Sequence, residues 1–203
     1  MKKVISLTLF ILSLTLSSHA QNRWKVYGGG SISHLCEKPW LNSDGSYRWG
    51  GGAFVGCGYE INFNSRWSLS PQLEFAFSDN GAYLSSDKAG SYNRYANWKS
   101  IWSLNIPILV NFRISISDMV KFRIGLGPYL QEALVGRQYN PITEKRESMS
   151  GNFGNRFNVG PMGEVAVETG NHLYYMFRTQ YPVLKEGWVR KTICLSIGIG
   201  YSF

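Results

Sequence analysis

The C-terminal stretch sets the pattern for the rest of the chain. Ile193, Leu195, Ile197, Ile199, Tyr201 and Phe203 alternate with Thr192, Cys194, Ser196, Gly198, Gly200 and Ser202. A large apolar residue at every second position marks a strand with one face buried or covered. The same alternation runs through Leu173, Tyr175, Phe177 and Tyr181, and through Trp102, Leu104, Ile106, Ile108, Val110 and Phe112. It recurs in Val120, Phe122, Ile124 and Leu126, and again in Trp67, Leu69, Leu73, Phe75 and Phe77. The periodicity predicts eight strands, near 24–33, 49–61, 67–78, 99–114, 120–134, 157–168, 172–181 and 190–203.

Most of these are longer than the ~5–6 residues common in soluble proteins, and adequate for the ~9–11 of a tilted membrane-spanning strand. Between them, tight turns at Asn62–Arg66, Ser115–Met119 and Thr169–Asn171 alternate with longer polar loops at 34–48, 79–98, 135–156 and 182–189. A soluble sandwich has no reason to sort its connections by length. A membrane barrel with short periplasmic turns and longer extracellular loops does. The expected fold is all-β: an eight-stranded antiparallel transmembrane β-barrel with both mature termini in the periplasm.

Desolvation decides which face meets lipid. One face carries nearly all the large apolar residues, whereas the other carries Lys25, Glu60, Glu74, Arg113, Lys121, Arg123, Glu164, Glu168 and Arg178. A basic side chain against lipid at mid-depth costs about 2–4 kcal/mol, so the charged face must point inward. An eight-stranded barrel has room inside for side chains and little more. These nine residues are therefore expected to form a salt-bridged plug. The alternative is a catalytic or proton-handling site built on Glu164, Glu168 and Arg178. Trp24, Trp49, Trp67, Trp98, Trp102 and Trp188 lie where strands meet loops, as interfacial aromatic girdles require. Tyr201 and the terminal Phe203 also fit a C-terminal signal read by the barrel-assembly machinery. Gly28–Gly30 and Gly50–Gly52 lack the following Lys-Ser/Thr of a phosphate-binding loop and fall within strands, where glycine allows bending and makes room for Tyr27 and Phe54.

The amino terminus adds a destination. Lys2 and Lys3, an apolar run over Val4–Leu16, and Ser18-His19-Ala20 read as a secretory signal peptide of residues 1–20, leaving a barrel domain of 21–203. A membrane anchor is the other reading, but the run is short of the ~20 residues a spanning helix needs. Composition agrees with a two-faced chain. The 203 residues are 44% hydrophobic and 15% aromatic but only 17% charged, so disorder is excluded. Removal of the two lysines lowers the net charge from +8 to +6. The remaining charges are scattered in sign through the loops, so nucleic acid is not an expected partner despite the basic balance. The expected partners are outer-membrane lipid, the barrel-assembly machinery and other envelope proteins.

Candidate chemistry is thin. Cys36, Cys57 and Cys194 have no metal-ligand spacing, and Cys57 and Cys194 are expected on opposite faces, which argues against a disulfide. His34 and His172 are expected at opposite ends of the barrel. The group Ser33, His34 and Glu37 is the one remotely suited to a lipid-modifying hydrolase. No catalytic residue, cofactor site or metal site is expected. Tyr83, Tyr92, Tyr95 and Trp98 in the second long loop are a candidate sugar-stacking or protein-contact surface, or else pack the loop onto itself.

Asn105-Ile106-Pro107-Ile108-Leu109-Val110-Asn111-Phe112-Arg113 and Gly125-Leu126-Gly127-Pro128-Tyr129-Leu130 resemble the outer-membrane β-barrel (PorT-like) family of Bacteroidetes. Val159-Gly160-Pro161 through Glu168, and the ending Gly198-Ile199-Gly200-Tyr201-Ser202-Phe203, are similar to it as well. The resemblance implies an eight-stranded outer-membrane barrel and carries no catalytic motif. Three functions follow as expectations: a structural, binding or envelope-assembly barrel with a closed charged interior; a lipid-modifying outer-membrane enzyme; or a small pore.

Overall fold

Alternation becomes a barrel because each strand can cover one face with lipid while the other packs side chain against side chain. The computed structural model describes residues 22–35, 46–84, 95–140, 145–148, 156–184 and 192–203. The strands are β1 (Arg23–Leu35), β2 (Ser46–Arg48), β3 (Gly50–Asn62), β4 (Trp67–Leu84), β5 (Tyr95–Ser115), β6 (Val120–Asn140), β7 (Lys145–Ser148), β8 (Phe157–Thr169), β9 (Leu173–Gln180) and β10 (Thr192–Ser202). Eight of them form a closed antiparallel ring in the order β4-β3-β1-β10-β9-β8-β6-β5, with β5 returning to β4. β2 and β7 are short additions on the extracellular side, pairing with β4 and β6.

Closure joins the two ends of the chain. β1 and β10 pair from Lys25↔Ser202 to Leu35↔Thr192, and the Phe203 amide donates to the Trp24 carbonyl at 2.8 Å. With no open edge, every spanning strand satisfies its backbone groups inside the bilayer. The periplasmic turns are made by the residue types that favour them. Asn64 Oδ1 accepts from the amides of Arg66 and Trp67, each at 2.8 Å. Ser117 Oγ accepts from the Val120 amide at 3.1 Å. In the third turn His172 has φ 63°, the left-handed region, and its amide donates to the Thr169 carbonyl. His172 thus belongs to the turn, one residue before β9 begins, and not to the inward face of a strand starting at 172.

The wall is uneven. β4, β5 and β6 run 18, 21 and 21 residues, whereas β9 has 8. The pairing of β4 with β5 continues out to Leu84↔Tyr95, and that of β5 with β6 to Lys99↔Gln138. The long strands therefore extend well past the ends at 78, 99 and 134 that the alternation predicts. Outside the bilayer a ladder needs only backbone hydrogen bonds, so it persists where the apolar period fades. A register shift between Trp102 and Ser103 leaves Leu134 as an extra residue in β6, a β-bulge close to this transition.

The outer surface carries two aromatic bands. On the periplasmic side Trp24 meets Tyr59 at 5.0 Å and Trp67 meets Phe112 at 4.9 Å between ring centroids. Toward the extracellular side Trp102 contacts Phe75 and Phe77, and Trp49 lies edge-on to His34 at 4.7 Å. Trp24, Trp49, Trp67 and Trp102 are all exposed. Trp188 lies outside the described residues. Between the bands Val26, Val55, Leu73, Ile106, Val110, Leu126, Val165, Phe177 and Ile197 face lipid.

Candidate functional site: the charged interior

Eight of the nine inward charges meet in one network on the periplasmic half of the barrel. Nearest the turns, Lys25 on β1 pairs with Glu60 on β3 at 2.6 Å, and Arg113 on β5 reaches the same carboxylate at 3.1 Å. Glu168 on β8 receives Arg123 of β6, with Arg113 at 3.5 Å and Lys25 at 3.8 Å. Ser68 Oγ also donates to Glu60. One level further out, Glu164 is held on both oxygens, by Arg123 at 2.8 Å and by Arg178 of β9. Arg178 then donates from Nη1 to Glu74 Oε2 on β4 and from Nη2 to Gln72 Oε1, each at 2.8 Å.

The network is electrically closed. Lys25, Arg113, Arg123 and Arg178 balance Glu60, Glu74, Glu164 and Glu168. Glu60 and Arg123 are almost fully buried (0% and 1% exposed), where an unpaired charge would cost several kcal/mol. Aromatic faces complete the shell. The Arg178 guanidinium lies 4.4 Å from the Tyr27 ring centroid and that of Arg123 lies 5.1 Å from the Tyr174 ring. Tyr27 Oη donates to Gln72 Oε1 at 2.8 Å, and Asn105 Nδ2 to Glu74 Oε1 at 3.0 Å. Lys121, the ninth residue, is half-buried near the periplasmic end, and none of the ion pairs among the described residues includes it.

Strand geometry needs small residues where these rings sit. A Cβ at Gly56 would lie 2.6 Å from Tyr27 Cζ, and one at Gly200 would collide with the Tyr174 ring. The rings fill the hollows of β3 and β10. Gln72, Tyr27, Tyr174 and Asn105 join the network without being among the nine charges that the alternation picks out. Their signal is their position in the inward series with Glu74, Lys25, Arg178 and Ser103 on their respective strands.

The remaining candidates do not converge on chemistry. Ser33 is buried inside, whereas His34 points outward against Trp49, so neighbours in sequence occupy opposite faces. Glu37 and Cys36 lie outside the described residues. Cys57 is exposed on the lipid face and Cys194 is half-buried on the inner one, both as free thiols. No cluster of metal-ligating side chains occurs among the described residues. Tyr83 and Tyr95 belong to the β4–β5 ladder, and so does Trp98, paired with Gly81. These three sit on strands rather than in the loop predicted at 79–98, while Tyr92 lies outside the described residues. Tyr201 and Phe203 contact each other edge to face at 5.1 Å, with Phe203 exposed beside the β1–β10 seam.

One lipid-facing residue escaped the alternation. Glu132 continues the outward series of β6 and pairs with Leu104 and Phe157. It is half-buried, and it is the one carboxylate among the described residues on the apolar band inside the level of Trp102.

Residues 19–185 match the family described as outer membrane protein beta-barrel domain. The chain belongs to that family. Its place is the cell outer membrane, as an outer membrane beta-barrel protein embedded in lipid. Two solved structures of such barrels are similar in fold. Neisserial surface protein A is 14% identical with a TM-score of 0.52, over 89% of this chain and 97% of that one. The outer membrane protein OprG from Pseudomonas aeruginosa is 14% identical with a TM-score of 0.51, over 92% and 98%. No curated protein matches the sequence.

Proposed function

We propose that this chain is a closed, non-enzymatic outer-membrane barrel that acts through its extracellular end, as a binding or envelope-assembly protein. The observation that carries the reading is the ion pair between Arg178 and Glu74. Their strands stand four places apart around the ring in either direction, so the pair crosses its full width. Beneath it Lys25, Glu60, Arg113, Arg123 and Glu168 fill the bore again. A conduction path would have to break through both layers of buried, mutually paired charges. The carboxylates are held by cations rather than left available as acid or base.

With the interior occupied, contact with partners falls to the long β4–β5–β6 wall and the connections around it. The PorT-like resemblance at Asn105–Arg113 and Gly125–Leu130 supports the eight-stranded barrel and brings no catalytic motif with it. Residues 1–20 serve as the export signal, and Tyr201 with Phe203 present the assembly machinery with its recognition end.

Planar-bilayer recording on the purified barrel tests the reading. Folding is first verified by a heat-dependent shift in gel mobility. The expected trace shows no discrete conductance steps. A stable open channel would overturn the closed interior.

A further inference from the structure

Above the Arg178–Glu74 pair the lining of the barrel changes character, from charged to neutral and polar. A cavity of about 40 Å³ lies there, walled by Ser31, Ser103, Gln131, Cys194 and Ser196 from four strands, with Phe54 and Tyr129 supplying aromatic faces. Its walls run outward to Ser33, Ser78 and Pro182. Since one water takes about 10–15 Å³ by this measure, the space suits about three waters, or one molecule of that bulk.

Two buried side chains bring unused hydrogen-bonding capacity to the cavity. Tyr129 is fully buried and its Oη has no partner in the protein. Gln131 is 6% exposed; its Nε2 donates to Ser103 Oγ at 3.1 Å, while its Oε1 has no partner. A buried polar group left unmade costs about 1–3 kcal/mol, so such atoms call for a ligand. Gln131 Oε1 can only accept, and the tyrosine hydroxyl can do either. A matching molecule must therefore donate to Gln131, and a hydroxyl group, which both donates and accepts, can serve Tyr129 Oη in either sense.

Charge narrows the choice. Glu74 is the one carboxylate on the lining, and both of its oxygens are already engaged, by Asn105 Nδ2 and Arg178 Nη1. No uncompensated charge is left to attract a cation. Serine hydroxyls beside aromatic rings suit a neutral molecule with several hydroxyl groups on a short carbon chain.

We propose that this cavity is a binding site for a compact neutral polyol of about glycerol size, entering from the extracellular side. The site depends on the fold and not on the functional reading above, because the ion pairs that close the bore lie beneath it.

Cys194 lines the same cavity and reports on its occupancy. In a Cys36→Ser/Cys57→Ser background it is the one thiol left in the chain. The folded barrel in detergent is treated with methyl methanethiosulfonate, with glycerol as the probe ligand. The expected result is a labelling rate that falls at least threefold, saturably, as glycerol rises. Sucrose at matched osmolality, too large for the cavity, should leave the rate unchanged. Gln131→Leu and Tyr129→Phe should each abolish the protection while retaining the heat-dependent mobility shift of a folded barrel. Equal protection by sucrose, or full protection in both variants, would overturn the site. So would a Cys194 that the reagent never reaches, since the cavity would then be shut to solutes. None of these failures touches the closed-bore reading, which the conductance experiment decides.

Discussion

Arg178 and Glu74 lie 104 residues apart in the chain and on opposite walls of the barrel, yet their side chains meet at 2.8 Å. The pair works as a strut across the bore. Removing one member leaves the other charged and buried, which typically costs about 3–5 kcal/mol. Arg178→Met is therefore expected to lower barrel stability by about that amount in urea unfolding from lipid or detergent. Glu74→Gln should cost less, because the amide oxygen still accepts from Arg178. Pairing Arg178→Met with Glu74→Leu should recover some of the loss, as a double-mutant cycle will show. Additive losses would mean that the pair is energetically idle.

Glu132 makes the opposite prediction. Its carboxylate faces the apolar band between Leu104 and Phe157 without an ion pair among the described residues. Glu132→Leu should stabilise the barrel by about 1 kcal/mol, since acidic groups on the lipid face cost less than basic ones and less near the interface. The same unfolding measurement, made in lipid vesicles, reads this directly. A loss on substitution would show that the carboxylate has a partner in the membrane.

The glycine triplets separate two kinds of position. A Cβ at Gly29 would run into the backbone of Ile197 and Gly198 on the neighbouring strand, whereas one at Gly51 meets nothing within 4 Å. Gly29→Ala is expected to cost about 1–3 kcal/mol or to block folding, by overpacking a site with no room to yield. Gly51→Ala should fold with its heat-shifted mobility intact. Similar behaviour of the two would refute the steric distinction.

The C-terminal residue lends itself to a simple deletion. Phe203 donates its amide to Trp24 at the seam and leaves its ring exposed against Tyr201. Loss of one hydrogen bond at the end of the ladder should hardly change the stability of refolded protein, by about 0.5–1.5 kcal/mol. If the ring serves the assembly machinery, deleting Phe203 should cut the amount of heat-shifted barrel in cells severalfold while refolding in vitro stays close to normal. Parallel losses in both settings would assign Phe203 a structural role only.

What could be read in advance follows from the period of a strand. Parity alone assigned Lys25, Glu60, Glu74, Arg123, Glu164 and Arg178 to the inside, because a one-residue slip would have turned them all toward lipid. Parity does not say how high a residue stands in a tilted barrel, nor which wall it faces. The contact of Arg178 with Glu74, and the exclusion of Lys121 from the ion pairs, depend on that height. The continuation of β4 and β5 to Leu84 and Tyr95 was hidden for another reason. Outside lipid the apolar face is no longer required, so residues 79–84 and 95–98 read as loop while their backbones stay paired. The polyol cavity was hidden as well, since serines and glutamines on an inner face look like filler until Gln131 and its neighbour Tyr129 prove to carry unpaired atoms.

The unequal strand lengths give the molecule a front and a back. On the β9 side the ladder stops at Gln180, while on the β4–β5–β6 side a hydrogen-bonded screen runs on to Leu84, Tyr95 and Asn140. A barrel turning in the plane of the bilayer thus presents an approaching surface with a different reception on each bearing. On the bearing of β4–β5–β6 that reception is a wall of backbone held strand to strand.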